Sequence, residues 1–432
     1  MAYLKTAFLL FLMLYAGSAA SQVRHTGPTW LSSPSRAGLP PISSNFDVNL
    51  SMTNANIPKP GPPTGAFRFN CGSGQLLYDD PLVFPGQPGK SHLHQFYGNT
   101  SANANSTYQS LRSAGESTCN FTGKGLALNR SAYWMPAMLD GKGNAVRPDY
   151  TNVYYKRRPS TDPTVSCWEK APSPRKCEGF AAPLPNGLRF IAGWDPTGTT
   201  TVRTGSAWFN CSGSGATTGH YSSIEEAAPN CPPGSHLETA IQFPECWDGT
   251  NLDSPDHRSH TAYADYVSGY LQCPQTHPYV IPTFTLAAFY SVKEADDLNT
   301  WSFSSDEMAP DKPHGFTYHA DWFGAWDPVA LAGWESGCIE KMLNCTNGNM
   351  GNGKQLLNAG IPHYVVNGKT ISSWSLPDDL RLVPLSSIAT VTANVPEPGT
   401  WAMMLLGFGA VGASMRRNRT NVRQRAQNFR IN

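Results

Sequence analysis

The sequence predicts a mainly β fold, a β-sandwich with long disulfide-stapled loops and few helices. Three observations carry this expectation. Charged residues make up only 15% of the 432 positions, while glycine (39) and proline (36) abound, a composition suited to short strands joined by long loops. Apolar or alternating runs recur, at residues 67–71, 131–138, 153–157, 202–211 and 279–292. Only one segment, opening at Asp327-Pro328, carries a clear helix signature, whereas a doubly wound α/β protein needs many.

In chain order, residues 1–20 read as a secretory signal peptide, with Lys5, an apolar run over 7–15 and the small residues Ser18-Ala19-Ala20. Residues 21–65, rich in Pro, Ser and Asn without periodicity, are expected as a disordered leader. The globular domain then spans 66–385. Its first strand, 67–71, is followed by Ser91-His92-Leu93-His94, where His92 and His94 on a strand would share one face about 7 Å apart. A short helical turn is expected at 110–115. Tyr133, Trp134, Tyr154 and Tyr155 lie on predicted strands, as core aromatics or as a platform for sugar rings. Strands follow at 188–193 and 202–211.

Residues 243–278 form the most polar stretch. Trp247, Asp248, Asn251, Asp253, Asp256, His257 and His260 lie between Cys246 and Cys273, with His277 just beyond, and the turn formers Asp248-Gly249 and Ser254-Pro255-Asp256 punctuate them. A segment this polar cannot make its own core, so a Cys246–Cys273 bridge is expected to staple it, worth roughly 3 kcal/mol in the chain-entropy model. After strands at 279–292 and 301–306, Asp327 caps a helix with Pro328 at its first position, continued by Val329, Ala332, Trp334, Ile339, Met342 and Leu343. Last strands are expected at 363–366 and 380–384, a spacer at 386–394, and a basic tail at 420–432.

Ten cysteines in an exported chain read as disulfides. Proximity pairs Cys167 with Cys177, Cys211 with Cys231, Cys246 with Cys273 and Cys338 with Cys345, leaving Cys71 for Cys119. Setting aside Lys5 and the arginines at 416, 417, 419, 423, 425 and 430 turns a balance of 32 basic against 31 acidic residues mildly acidic, which argues against a nucleic-acid partner. No Cys-x-x-Cys, His-Glu-x-x-His or Gly-x-Ser-x-Gly elbow occurs, so zinc ribbons, zincins and serine hydrolases lack support.

The order Val395-Pro396-Glu397-Pro398, an apolar run over 401–415 and Arg416-Arg417-Asn418-Arg419 resembles the PEP-CTERM sorting signal of Gram-negative bacteria. The resemblance implies transient membrane insertion of a transmembrane helix, processing by an exosortase, and delivery to the outer surface or an exopolysaccharide matrix. At ~1.5 Å per residue the run is short for a ~30 Å hydrocarbon core. The extension over 420–432 departs from the pattern. Asp80-Pro81-Leu82-Val83, Ser91-His92-Leu93-His94-Gln95-Phe96, Tyr133-Trp134-Met135-Pro136, Phe243-Pro244-Glu245-Cys246-Trp247-Asp248-Gly249, Asp256-His257-Arg258-Ser259-His260 and His319-Ala320-Asp321-Trp322 together resemble the secreted DUF1996 domain of fungi and bacteria, across residues 67–345. Tyr318 is a small departure, standing where an apolar residue or glycine is expected. The resemblance implies a cell-wall or polysaccharide setting and supplies no reaction.

Histidine paired with aspartate recurs throughout, and two chemistries follow if these groups converge. Asp248, Asp256, His257, His260, His319 and Asp321 are the candidate catalytic residues of a polysaccharide-active hydrolase or lyase, with Asp248 and Asp321 as a carboxylate pair. His92, His94 and His319 are the candidate ligands of one divalent metal ion. Trp134, Trp247, Asn251 and His277 are the candidate substrate contacts. The alternatives are a non-catalytic glycan-binding or structural surface protein and a metal-dependent enzyme with a multi-His site.

Overall fold

A computed structural model of the chain describes residues 39–61, 64–162, 165, 178–198, 203, 205–267, 270–366 and 369–389. The signal peptide, the Cys167–Cys177 pair and the C-terminal sorting segment lie outside these residues. Among the described residues no helix is long and apolar enough to cross a membrane.

Two sheets organise the domain. Eleven strands compose them: β1 (Gly65–Cys71), β2 (Leu76–Leu77), β3 (His94–Gly98), β4 (Ala132–Pro136), β5 (Tyr150–Arg157), β6 (Arg189–Gly193), β7 (Ala207–Gly213), β8 (Ser235–Gln242), β9 (Thr283–Ser291), β10 (His319–Phe323) and β11 (Asn344–Cys345). The five-stranded sheet runs β6-β10-β4-β3-β2 and the six-stranded sheet β7-β8-β9-β5-β1-β11. All pairings are antiparallel except β1 with β11.

The sheets pack face to face, as a sandwich. Alternate residues of each strand point inward, and here they are aromatic. Tyr133 on β4 meets Phe284 on β9 edge-on at 6.1 Å, and the Tyr133 and Tyr155 hydroxyls share a hydrogen bond of 2.9 Å. Trp322 on β10 and Phe190 on β6 lie 5.3 and 6.3 Å from Phe284. The buried hydroxyl pair shows why tyrosine is accepted in this core: each phenol finds a partner. Tyr133 and Tyr155 are thus core residues.

The helix expected from Asp327 begins there. Asp327 Oδ1 accepts from Val329 N at 2.9 Å and Pro328 opens the helix Pro328–Trp334, which widens into a π-type turn over Glu335–Ile339 before the Cys338–Cys345 bridge. A shorter helix, Tyr108–Ser113, is capped by Thr107. The bridges Cys211–Cys231 and Cys246–Cys273 form as sequence proximity indicates, and Cys71–Cys119 forms as the remaining pair.

Residues 39–61 lie against the domain. Met52–Asn54 pairs with Lys354–Leu356, and Ser44 donates through N and Oγ to Asp327 Oδ2 at 2.8 and 2.7 Å. The same oxygen accepts from Arg112 Nη2 at 3.1 Å, in an ion pair with both side chains fully buried. Removing one member of such a pair strands the other charge. Asp327→Ala is therefore expected to destabilise the domain by about 3–5 kcal/mol in urea unfolding, well beyond the ~1 kcal/mol of a lost helix cap alone.

Candidate metal centre

The outer face of the five-stranded sheet carries the polar residues. On β10, Ala320 and Trp322 face the inter-sheet core, so His319 and Asp321 face outward. Asp321 is cross-strand to Ile191 on β6 and Trp134 on β4, and Trp134 is in turn opposite Phe96 on β3. One step along, His319 is opposite Gly193 and His94 opposite Pro136. His94 and His319 thus come from strands separated by β4, on one face. The loop entering β3 adds His92 and Asp80.

Three imidazoles converge. Ring centroids lie 4.2 Å apart for His92 and His94, 5.1 Å for His92 and His319, and 5.9 Å for His94 and His319. One ring nitrogen of each lies within 4.8 Å of those of the other two. Two of the rings have a fixed tautomer. His94 Nδ1 donates to the Asp79 carbonyl at 2.9 Å and His319 Nδ1 to the Thr317 carbonyl at 2.9 Å, which leaves each Nε2 as a bare lone pair. Both carbonyls are anchored. Asp79 accepts from Gly89 N and Ala104 N at 2.9 and 3.0 Å, and Thr317 is held by Asp306 through its hydroxyl at 2.6 Å.

The Nε2 atoms of His92 and His94 are buried and have no hydrogen-bond partner, and neither does either carboxylate oxygen of Asp321. Buried polar atoms are almost always satisfied, so this concentration in one place calls for a ligand. Burial lowers the His92 ring to about 4 and holds His94 and His319 well below the ordinary imidazole range. Burial also lifts the Asp321 carboxyl well above its usual range, with Asp80 adding to the rise and Arg258 opposing it. The Asp80 carboxyl is raised by burial, although its Oδ1 accepts from Leu82 N and Val83 N at 2.8 and 2.9 Å. Asp80, His94 and Asp321 form a second group with ligand atoms within 4.8 Å. His94 belongs to both groups and has one free nitrogen, so only one of the two sets can hold an ion at a time.

Neutral imidazoles beside carboxylates suit a divalent transition metal. The cluster forms part of the wall of a cavity of about 400 Å³, lined also by Val83, Phe84, Trp194 and Met308. Val83 and Met308 are 45% and 51% exposed.

The structure distributes the other sequence candidates differently. Asp256 and His257 line the same cavity. Burial opposes ionisation of Asp256, yet donation from Ser254, Ser259 and Arg258 outweighs it and holds the carboxyl far below its usual range. His257 Nδ1 binds Asp253 at 2.7 Å. His260 is held on both nitrogens, by Ser254 Oγ at 2.8 Å and the Arg189 carbonyl at 2.9 Å. Asp248 accepts from Thr250 N, Asn251 N and the Asn251 amide, and does not line the Asp321 cavity, so the expected carboxylate pair is not assembled. Asn251 is exposed, and its carbonyl accepts from the fully buried Trp247. His277 Nε2 donates to the Ser259 carbonyl at 2.9 Å. Trp134 is fully buried and stacks on Phe96 at 5.4 Å, closed to a sugar ring. Asp80 was not singled out from the sequence. Its signal was available, in an Asp-Pro step shortly before His-x-His.

A model of a domain of unknown function, DUF1996, matches residues 80–326. The chain belongs to the DUF1996 family. The matched range opens on Asp80 and includes all five residues of the cluster. A PEP-CTERM protein-sorting motif matches residues 394–419, which marks this DUF1996 protein as an exported surface protein sorted by an exosortase. No curated protein and no solved structure matches the chain.

The cluster has a pH signature. A carboxyl raised on folding contributes stability present below its unfolded value, near 3.8 for Asp321, and lost as pH rises toward the folded value. A ring lowered to about 4, as in His92, contributes stability present above about 6.5 and lost as pH falls toward 4. Asp321→Asn is expected to stabilise the metal-free protein at pH 7–8, because an amide folds without the proton uptake that the buried carboxyl requires, and the gain should fade near pH 4. Calorimetry in chelator across that range checks it; destabilisation at pH 7 would show that Asp321 has a compensating partner.

Proposed function

We propose that this exported DUF1996 protein is a metal-dependent enzyme of the cell surface, with one divalent transition-metal ion held by His92, His94 and His319. The observation that carries the reading is the convergence of three neutral imidazoles, ligand atoms within 4.8 Å, beside an open cavity. The Nε2 atoms of His92 and His94 have no donor facing them, and the Asp321 oxygens lack donors too. A cation relieves both.

A bound ion would supply a Lewis acid at the cavity wall. The chain's own residues do the rest. The carbonyls of Asp79 and Thr317 hold the His94 and His319 rings in the ligating tautomer. Asp321, with neither oxygen committed, is the group able to take or give a proton next to the ion. Arg258 is occupied in donating to the Gly193 and Trp194 carbonyls at 2.9 and 2.7 Å, so it shapes the wall rather than binding an anion. The substrate class we assign is a polysaccharide of the surface matrix. Half-buried Trp194 offers the wall an aromatic surface for a sugar ring, and the sorting motif supports this location.

Elemental analysis and calorimetric titration of the purified mature chain test the metal. One ion per chain is expected, and His94→Ala should weaken binding by more than the ~10–100-fold that loss of an outer partner costs. Release of sugar from matrix polysaccharide should stop in chelator and return with metal. A wild-type chain that binds no ion, or a His94→Ala/His319→Ala chain that binds it unchanged, overturns the reading.

A further inference from the structure

The loop closed by the Cys246–Cys273 bridge docks on the edge of β6 that faces away from β10. Arg189 N donates to the Leu252 carbonyl at 3.1 Å, Ile191 N to the His257 carbonyl at 2.9 Å, and Arg258 Nη1 to the Gly193 carbonyl at 2.9 Å. Ile191 is the cross-strand neighbour of Asp321. The docking therefore sets His257 at the level of Asp321 on the sheet that carries the histidine cluster, and His257 lines the same cavity.

His257 is fixed twice over. Its φ is +55, in the left-handed region that a residue with a Cβ seldom enters. Its N–H donates to the Ser254 carbonyl at 2.9 Å, and with the bond from Ile191 this pins the backbone there. The ring is pinned as well. Nδ1 lies 2.7 Å from Asp253 Oδ1, and Asp253 Oδ2 accepts from Arg189 Nε at 2.8 Å. A carboxylate only accepts, so Nδ1 carries the proton and Nε2 of the neutral ring keeps a bare lone pair. That Nε2 has no hydrogen-bond partner among the described residues, and the side chain is 20% exposed. It belongs to neither group of metal-ligand atoms. Histidines that only brace the fold look different here: His260 and His363 are each bonded at both nitrogens.

We propose that His257 is the proton-accepting residue of this cavity, with Asp253 and Arg189 as the positioning residues that hold its ring. The proposal rests on the metal-dependent reading above and adds to Asp321, on the sheet side, a proton carrier on the loop side. In hydrolysis the attacking water gives a proton to His257 Nε2 as its oxygen bonds to carbon. The imidazolium then returns that proton to the oxygen freed at the broken C–O bond, and the ring ends neutral. Asp253 opposes the transient positive charge, and Arg189 keeps that carboxylate in place. The left-handed backbone turn is what aims a side chain from the docked loop at the cavity while its carbonyl stays on the sheet edge.

Nitrogen NMR of the histidine rings in the metal-free mature chain tests the geometry. At about pH 8 the His257 ring is expected to carry its proton on Nδ1 alone, and Asp253→Ala should abolish that preference. Turnover tests the role. Asparagine tolerates a positive φ and its amide can still donate to Asp253, so His257→Asn removes Nε2 with the loop intact. It should lower kcat for sugar release on the order of 100-fold or more, with KM changed less than about threefold and with metal content and melting temperature unaltered. Asp253→Ala should also lower kcat more than it raises KM. A His257 ring protonated at Nε2, or a His257→Asn chain that turns over like the wild type, overturns the inference and leaves the metal reading standing. The ring measurement uses no metal, so a chain that binds no ion counts against the metal reading and not against the ring geometry.

Discussion

The register of β10 is the constraint on which the rest depends. The strand is five residues long and buried on both faces, yet its two faces are chemically opposite. Trp322 sits among Phe190 and Phe284 in the sandwich core, and this forces His319 and Asp321 to the other side. A slip of one residue would drive a carboxylate into an aromatic core, so the hydrophobic pattern holds the register strictly. Pairing to β6 and β4 on either flank holds it twice. Opposite His319 stands Gly193, at φ +85, where a Cβ would come within 2.5 Å of the Tyr318 carbonyl and 2.9 Å of His319 Cα. The close approach of β6 to β10 at the histidine requires a residue without a side chain.

Around this strand the protein accepts a local energetic penalty. Several buried charged groups elsewhere are matched: Asp327 meets Arg112 and Ser44, Asp306 accepts from Phe303 N, Gly315 N, Thr317 N and the Thr317 hydroxyl, and His260 is bound at both nitrogens. In the cluster, imidazole lone pairs and a carboxylate face one another without donors. The surroundings hold the arrangement in place. A small apolar core of Phe96, Trp134, Ile191 and Phe323 packs on the same outer face, and Asp79 and Asp306 clamp the loops that lead into β3 and β10. A penalty gathered at one spot and offset around it supports the proposal of a ligand there.

The disulfide-closed segment between Cys246 and Cys273 has a different part from the one its composition suggests. Most of its aspartates and histidines are consumed by turns. Asp248 and Asp256 each close an Asx-type turn on donors two or three residues ahead, and His260 and His277 brace the loop against carbonyls. The result is a rigid wall that delivers Asp256, His257 and Arg258 to the cavity. Density of polar residues in the chain therefore marked the frame of the cavity more than the histidine cluster.

How much was legible follows from the range of each interaction. Alternation over a few residues decided the strands, an Asp-Pro step decided where the helix starts, and proximity decided the short-range cysteine pairs, because each is settled within a short stretch of chain; His92, expected on one strand face with His94, instead meets it from the loop before β3. The sorting motif is likewise a local pattern, and no fold is needed to read it. What the sequence could not decide is which histidines meet. His94 and His319 are brought to one face only by the order β10-β4-β3 within a sheet. Asp80 joins them through a loop clamp, while His260 is withdrawn by a serine hydroxyl and a carbonyl that only the folded chain places beside it. Local hydrogen-bond and hydrophobic periodicities are written in neighbouring residues; the convergence of distant side chains is a property of sheet order and register, and only the tertiary structure holds that information.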